Sequence, residues 1–515
     1  MAASPRAQRQ PRLAIVGLDG ATWDIINPLM EAGKLPNLQQ LVAEGSSGPL
    51  ESVIPPVTAP AWATMLTGCD PGEHGVFAMT IQDPESEHFR PVTMNDWRAR
   101  PLWSIANDCG LTAGFMGVPF AYPPQSVDGY MISGIMGTPR YDERMFNPSS
   151  LFEPVTAAAG TYPLDPPAKV RGTAPFELLQ RQAEWIRDAT THLLHRNPVD
   201  LFMVVENYTD HVGHNYLRGR RYDCNGEMID LIEHAYRAAD ELIGCVRKAV
   251  GEECPILVVS DHGMGLFEGY INLERALGVE APVARRSFIR RIWRALVKLM
   301  PASVVRRLRR EYWSRPKAGR IVPYGDATLT LTGVEGAIRV NADDPEYRSH
   351  VIDEIVERLA SIEDPATGAP LIEPKRGPEQ YDGPYVDRAP DIIAWPANQG
   401  HQHFLRAPKW VPLLPTNEET KRAGMARAQL DPEGCHRLDG IALANAPAAA
   451  AGVAAHAEFP QHLRDVMAYV LGICFGEDVP DDAKIGPMSP DETGDVYGTD
   501  EQELIEERLA DLGYL

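Results

Sequence analysis

Three short apolar runs, each leading into an acid, constrain this chain more than any other feature. RLAIVGL (residues 12–18) closes on Asp19-Gly20, DLFMVV (200–205) leads into the run from Asp210 to His214, and PILVVS (255–260) closes on Asp261-His262-Gly263. Apolar runs this short, without polar alternation, read as strands buried on both faces. TAGFMGV (112–118) adds another, and amphipathic helices lie between them, from Trp23 to Met30, from Leu38 to Glu44 and over 227–250. Strands alternating with helices predict an α/β fold with a mostly parallel central sheet sandwiched by helices. Functional groups of such sheets gather at the carboxyl ends of the strands. Asp19, Asp210, His214, Asp261 and His262 then converge on one crevice, and His436, just ahead of GIALAN (440–445), joins them from the other direction.

The 515 residues suit one large α/β domain with an insertion, or two domains. Past Gly265 the character changes: 285–320 is rich in Arg and Lys within an acidic chain, followed by TLTLTG, a polar helix near 345–361 and a Pro/Gly-rich region. We expect core over 1–275, an inserted cap over 276–385, resumed core over 386–490 with DIIAW (391–395) as its first strand, and an acidic helical tail over 491–515. The net charge of −22 argues against a nucleic-acid binder. Seven scattered cysteines without a C-x-x-C pair suggest neither a disulfide framework nor a zinc knuckle. LAIVGL is too short for a secretory core, and no stretch approaches a membrane span, so a soluble, cytoplasmic protein is expected.

Asp oxygens and His nitrogens are good zinc donors. Asp210 and His214, four apart, share one face of a helix. Two metals need about six or seven protein donors; the six acids and histidines supply most, and Thr58 supplies another. Thr58 lies in PPVTAPAWATMLTG (55–68), ahead of an apolar helix, where unpaired N–H groups can cradle phosphate oxygens. Its hydroxyl is a poor nucleophile unless metal coordination activates it. Pro60 costs no hydrogen bond in the first turn. Taken alone, Thr58 reads as a helix N-cap.

LAIVGLDG, PPVTAPAWATMLTG with its trailing PGEHGVF, NYTDHVGH, VVSDHGM and GCHRLDGIA occur in this order, and the tail ends in EERLADLGYL. Together they resemble the alkaline phosphatase superfamily, in its type I phosphodiesterase/nucleotide pyrophosphatase branch of bacterial type. The resemblance runs from about residue 12 to the end, apart from the insertion. It implies an alkaline-phosphatase-like core with a cap, and two divalent cations, both zinc, with manganese as the alternative metal. Asp210, His214 and His436 would hold one cation; Asp19, Asp261 and His262 the other, with Thr58 bridging as nucleophile through a covalent phospho-threonine intermediate. The implied substrate is a phosphorylated small molecule, a nucleotide or another phosphodiester. One position departs from the pattern: where eukaryotic-type members carry Asn three residues after the nucleophile, this chain has Ala61. The Thr58 N–H or another donor then takes over, or the substrate differs.

The same fold also serves phosphomonoesterases and phosphonate hydrolases. The mutase branch uses Ser, which Thr58 speaks against, and the C-x-P-x-R of sulfatases is absent. A homologue without catalysis, binding phosphorylated ligands or membranes through its basic insertion, is the rival from another class. His401 and His403 in GHQHF form an H-x-H pair that competes with His436; the glycine after it at Gly440 and the strand that follows favour His436. His211 is expected behind the ligands or exposed, His74 to structure its loop, and His234 to be packed or at the surface. In 285–320, Phe288, Ile289, Ile292, Trp293, Leu296, Val297 and Met300 recur at helical spacing among arginines. A cap helix with arginine stems lying over a local core is preferred; the alternatives are contact with an anionic membrane or a basic funnel for phosphates.

Overall fold

The structure, a computed structural model, describes residues 10–82, 89–134, 136–164, 174–219, 221–224, 227–279, 320–332, 336–398, 403–405, 412–416, 419, 433–476 and 496–512. The three apolar runs are the middle of an eight-stranded sheet. Leu13–Leu18 lies between Leu201–Glu206 and Ile256–Val259, parallel to both. Ala113–Met116 and Gly129–Ile132 extend the parallel set on the Leu201 side, and Phe146–Asn147 closes that edge antiparallel. On the other side Asp439–Ala444 pairs antiparallel with both Ile256–Val259 and Ser46–Glu51. Ser46–Glu51 therefore points the same way as the central strands.

The absence of polar alternation has the expected cause. Leu13 and Ile15 pack into one core layer with Leu201, Met203, Val205, Leu257 and Val259. Ala14, Val16 and Leu18 pack into the other with Phe202, Val204, Ile256 and Val258. Alternate side chains thus enter opposite cores, and both faces carry helices. Helix Thr58–Thr67 covers one face together with Leu463–Phe475. Helices Trp23–Glu31, Pro36–Glu44, Ala174–Arg196 and Leu231–Val250 cover the other. Gly17 is needed where Trp62 crosses the sheet, since a Cβ there would sit 2.5 Å from the indole Cη2.

The expected helix over 227–250 begins later. Glu227–Asp230 is a strand paired with Arg221–Cys224, and the Asp230 carboxylate caps the helix by accepting from the Ile232 and Glu233 amides. A second, antiparallel sheet follows in the order Arg320–Tyr324, Ala327–Thr332, Ala337–Asn341, Ile392–Pro396, Ile372–Arg376. Helix Pro345–Ala360 packs on it through Val351, Ile355 and Leu359. DIIAW, expected in the resumed core, is thereby corrected: Ile392 and Ile393 pair with Ile338 and Ala337, and Ile392 and Ala394 complete this sheet's own core. An apolar run does not tell which sheet it joins. The basic segment 285–319 lies outside the described residues, and so does the question of cap helix, membrane contact or funnel. In the tail, helix Thr499–Leu512 docks Ile505 and Leu509 into the main core. Among the described residues no helix is long and apolar enough to cross a membrane.

Candidate active site

All seven residues singled out from the sequence meet past the carboxyl ends of the main sheet's strands. Asp19 stands just past Leu13–Leu18, and Asp261 and His262 just past Ile256–Val259. Asp210 and His214 lie on helix Tyr208–Tyr216, which follows Leu201–Glu206. Thr58 opens the helix after Ser46–Glu51. His436 belongs to a short strand, Gly434–Arg437, paired antiparallel with Gly263–Leu266; the ribbon brings it back over the Asp261-His262 turn. His403 is in a strand paired with Tyr270, and His401 lies outside the described residues.

The six acids and histidines form two buried groups, Asp210–His214–His436 and Asp19–Asp261–His262. In the first, Asp210 Oδ1 is 3.3 Å from each of His214 Nε2 and His436 Nε2, and the two Nε2 atoms are 2.9 Å apart. In the second, His262 Nε2 lies 3.5 Å from Asp19 Oδ1 and 3.3 Å from Asp261 Oδ2. The His262 and His436 rings stack with centroids 3.6 Å apart, so the groups are contiguous.

Backbone carbonyls determine which nitrogen faces the pocket. Nδ1 of His214 meets Gly434 O at 3.2 Å, Nδ1 of His262 meets Gly263 O at 3.1 Å, and Nδ1 of His436 meets Pro56 O at 2.6 Å. A carbonyl can only accept, so each Nδ1 carries the proton and each Nε2 turns a lone pair inward. Three inward lone pairs and three carboxylates leave the pocket rich in electrons and poor in protons. Asp19 Oδ1 and Asp261 Oδ2 are buried without a hydrogen-bond partner. Such a donor set fits divalent cations.

The titration of these groups shows the same frustration. Burial raises Asp19 well above the carboxylate range, and the charges of Asp261 and Asp210 add to it. Burial and Asp210 raise Asp261 likewise. Burial would also raise Asp210, but His214 and His436 outweigh it and hold Asp210 well below its ordinary value. Burial lowers His262 and His436. It would lower His214 too, but the Asp210 charge prevails and raises it.

Thr58 does not cap its helix. Val57 is the N-cap, without a side-chain cap bond, and the buried Thr58 hydroxyl instead points to His262 Nε2 at 3.4 Å. The Ala61 amide is bonded to Val57 O at 3.0 Å, while helix geometry leaves the Thr58 and Ala59 amides without an intrahelical acceptor. Those are the donors at hand where Ala61 offers none. The double proline has its own task, since Pro56 supplies the carbonyl that orients His436.

Several residues the sequence reading passed over brace these turns. The Ser260 hydroxyl donates to His262 O at 2.6 Å and accepts from the Ala21 amide at 2.9 Å, tying the two acid-bearing turns together. The Gly20 amide donates to Asp261 Oδ1 at 3.3 Å. Asn207 Nδ2 donates to Asp19 Oδ2 at 2.6 Å. A polar residue directly after a buried strand was the available signal for Asn207 and Ser260. His211 is buried, which decides against the exposed alternative, and burial lowers it to about 4. His74 structures its loop as expected: the Val76 amide donates to Nδ1, leaving Nε2–H for the Thr64 hydroxyl at 2.9 Å. His234 packs against Phe176 with centroids 4.6 Å apart.

The fold, a large mostly parallel sheet flanked by helices, is alkaline-phosphatase-like. Residues 13–458 match the family described as Type I phosphodiesterase / nucleotide pyrophosphatase, and the chain belongs to that family. It is accordingly a phosphoric ester hydrolase. No curated protein matches the chain. Its fold is similar to that of phosphonoacetate hydrolase from Sinorhizobium meliloti 1021, solved with phosphonoacetate, at a TM-score of 0.50 and 16% identity over 91% of this chain and 97% of that one. Murine ectonucleotide pyrophosphatase / phosphodiesterase 5, solved in an inactive form with AMP, is 14% identical over 90% of this chain and 95% of that one, with a TM-score of 0.49.

Proposed function

We propose that the chain is a two-cation phosphodiesterase or nucleotide pyrophosphatase with Thr58 as its nucleophile. The observation that carries this reading is the locked histidine set: three Nδ1 atoms held by carbonyls, three Nε2 atoms turned inward beside carboxylates, and a buried hydroxyl next to them. Asp210, His214 and His436 would hold one cation, and Asp19, Asp261 and His262 the other. Zinc, which suits imidazole and carboxylate donors together, would supply the positive charge that lowers the Thr58 hydroxyl's pKa and neutralises the leaving oxygen.

Thr58 Oγ1 gives up its proton to water and attacks phosphorus. The Oγ1–P bond forms as the bond to the leaving oxygen breaks, giving a phospho-threonine and releasing the first product. Water later attacks phosphorus: its oxygen bonds to phosphorus as the Oγ1–P bond breaks, and one of its protons restores the Thr58 hydroxyl. The Thr58 and Ala59 amides and the positive end of helix Thr58–Thr67 receive the phosphoryl oxygens. Burial of every charged group in the pocket removes competing water and strengthens each of these interactions.

The test is a panel of substrates on zinc-loaded protein: a p-nitrophenyl nucleotide diester, p-nitrophenyl phosphate and phosphonoacetate. Faster turnover of the diester is expected. A strong preference for the monoester or the phosphonate would overturn the substrate class, and hydrolysis of none of them would overturn the catalytic reading in favour of a binding homologue.

A further inference from the structure

Asn207 occupies a position where its chemistry is not spent in the ordinary way. It is the N-cap of helix Tyr208–Tyr216 and makes no side-chain cap bond, although an asparagine there usually accepts from the first free amides. Glu206 does that work from one residue back: its Oε2 accepts from the Tyr208 amide at 2.9 Å and the Thr209 amide at 3.3 Å. The Asn207 amide is thereby free to reach across to the neighbouring strand end, where Nδ2 donates to Asp19 Oδ2 at 2.6 Å. With Asp19 ionised, as a cation ligand must be, the amide has to present its nitrogen, because the reverse would set its oxygen against a carboxylate oxygen. Asn207 is 1% exposed and Asp19 fully buried, so water cannot replace this donor.

With Oδ2 engaged, Asp19 has one oxygen left, the Oδ1 that has no hydrogen-bond partner and faces His262 Nε2 at 3.5 Å. The main chain of Asp19 is held as well, by the Thr209 hydroxyl at 2.6 Å from its carbonyl oxygen. We infer that Asn207 is a positioning residue that restricts Asp19 to single-oxygen donation and holds that oxygen in the Asp19–Asp261–His262 set. The inference rests on the two-cation reading. The other set does not depend on this amide: His214 and His436 are oriented by Gly434 O and Pro56 O, and Asp210 is carried by its helix. Losing the Asn207 donor therefore acts on one cation and spares the other. Removing such a partner of a ligating carboxylate weakens metal affinity by about 10–100-fold.

The experiment titrates Zn2+ alone into metal-free wild type, Asn207→Leu and Asp19→Asn, reading stepwise affinities by chelator competition and stoichiometry by elemental analysis. Wild type is expected to bind two zinc ions. Asn207→Leu is expected to bind two as well, one with wild-type affinity and one weakened by about 10–100-fold. Asp19→Asn is expected to lose that same cation outright. Equal weakening of both cations in Asn207→Leu, or no change in either, overturns the inference while leaving the two-cation reading intact. Unchanged zinc binding in Asp19→Asn overturns that reading itself. Should Asn207→Leu not accumulate as folded protein, Asn207→Ser, with one donor on a shorter arm, is measured in its place. One affinity between those of wild type and a tenfold loss supports the inference, and parallel loss at both sites overturns it.

Discussion

A methyl group on Gly20 would press directly on Asp210, one of the candidate ligands. The glycine's φ is +68°, and a Cβ built there would sit 3.1 Å from each of Asp210 Cα, Cβ and Oδ1. Gly20→Ala therefore carries two penalties. The left-handed conformation costs a side-chain-bearing residue about 1–2 kcal/mol. Crowding against a packed neighbour adds about 1–3 kcal/mol. Comfortable carbon contacts begin near 3.5 Å, so Asp210 must retreat by roughly 0.4 Å. That exceeds the ±0.2 Å or so over which metal–ligand distances are held. The variant is thus expected to lose about 2–5 kcal/mol of stability without metal. It should also bind the Asp210–His214–His436 cation at least about tenfold more weakly. Denaturant unfolding of the metal-free protein reads the first effect, and zinc titration against a chelator reads the second. Unfolding and both zinc affinities equal to wild type would refute the reasoning. A loss of stability with unaltered affinities would show that Asp210 Oδ1 does not face a bound cation.

Three further outcomes are expected. Thr58→Ala should lower turnover of the preferred diester by about a thousandfold or more while zinc content stays at wild type; turnover near wild type would show that Thr58 is not the nucleophile. Asp261→Asn should lower zinc content, because an amide is a weak ligand for that ion, and unchanged stoichiometry by elemental analysis would remove Asp261 from the ligand set. Buried His74, lowered by burial to about 3, stays neutral in the folded state while the unfolded chain takes up a proton near pH 6.5. Its contribution is complete above that pH and declines as the pH falls towards 3. From pH 7 to 5 the stability of wild type relative to His74→Gln should fall by about 2 kcal/mol, and parallel curves for the two proteins would refute this.

Much of the site was legible because strand ends are legible. The strands before Asp19, Asp210 and Asp261 are apolar through 13–18, 201–205 and 256–259 since both of their faces are buried, and an acid at or soon after the end of such a run stands out. Asp210 and His214 needed only the helical repeat to share a face. His436 was harder. Its strand pairs with Gly263–Leu266 outside the main sheet, and only the spacing to GIALAN distinguished it from His403. The same lack of signal misplaced DIIAW: whether an apolar strand joins the main sheet or the antiparallel one is decided by partners far away in the sequence, here Ala337, Ile338 and Ile372–Arg376.

What no residue pattern carried is the orientation of the histidines. The acceptors that turn each Nε2 inward are backbone carbonyls of Gly434, Gly263 and Pro56, and every residue type has a carbonyl. Their identities leave a trace only through what else the backbone must do there. The same division holds for the acids: Asp19 is visible as a charge after a strand, but the amide that selects which of its oxygens remains free belongs to Asn207, 188 residues away along the chain. A sequence names donors; the direction in which a donor points is set by hydrogen bonds among segments that meet only after folding. Cation affinity depends on that direction, so residues such as Asn207 and Ser260 should tune it without touching a cation.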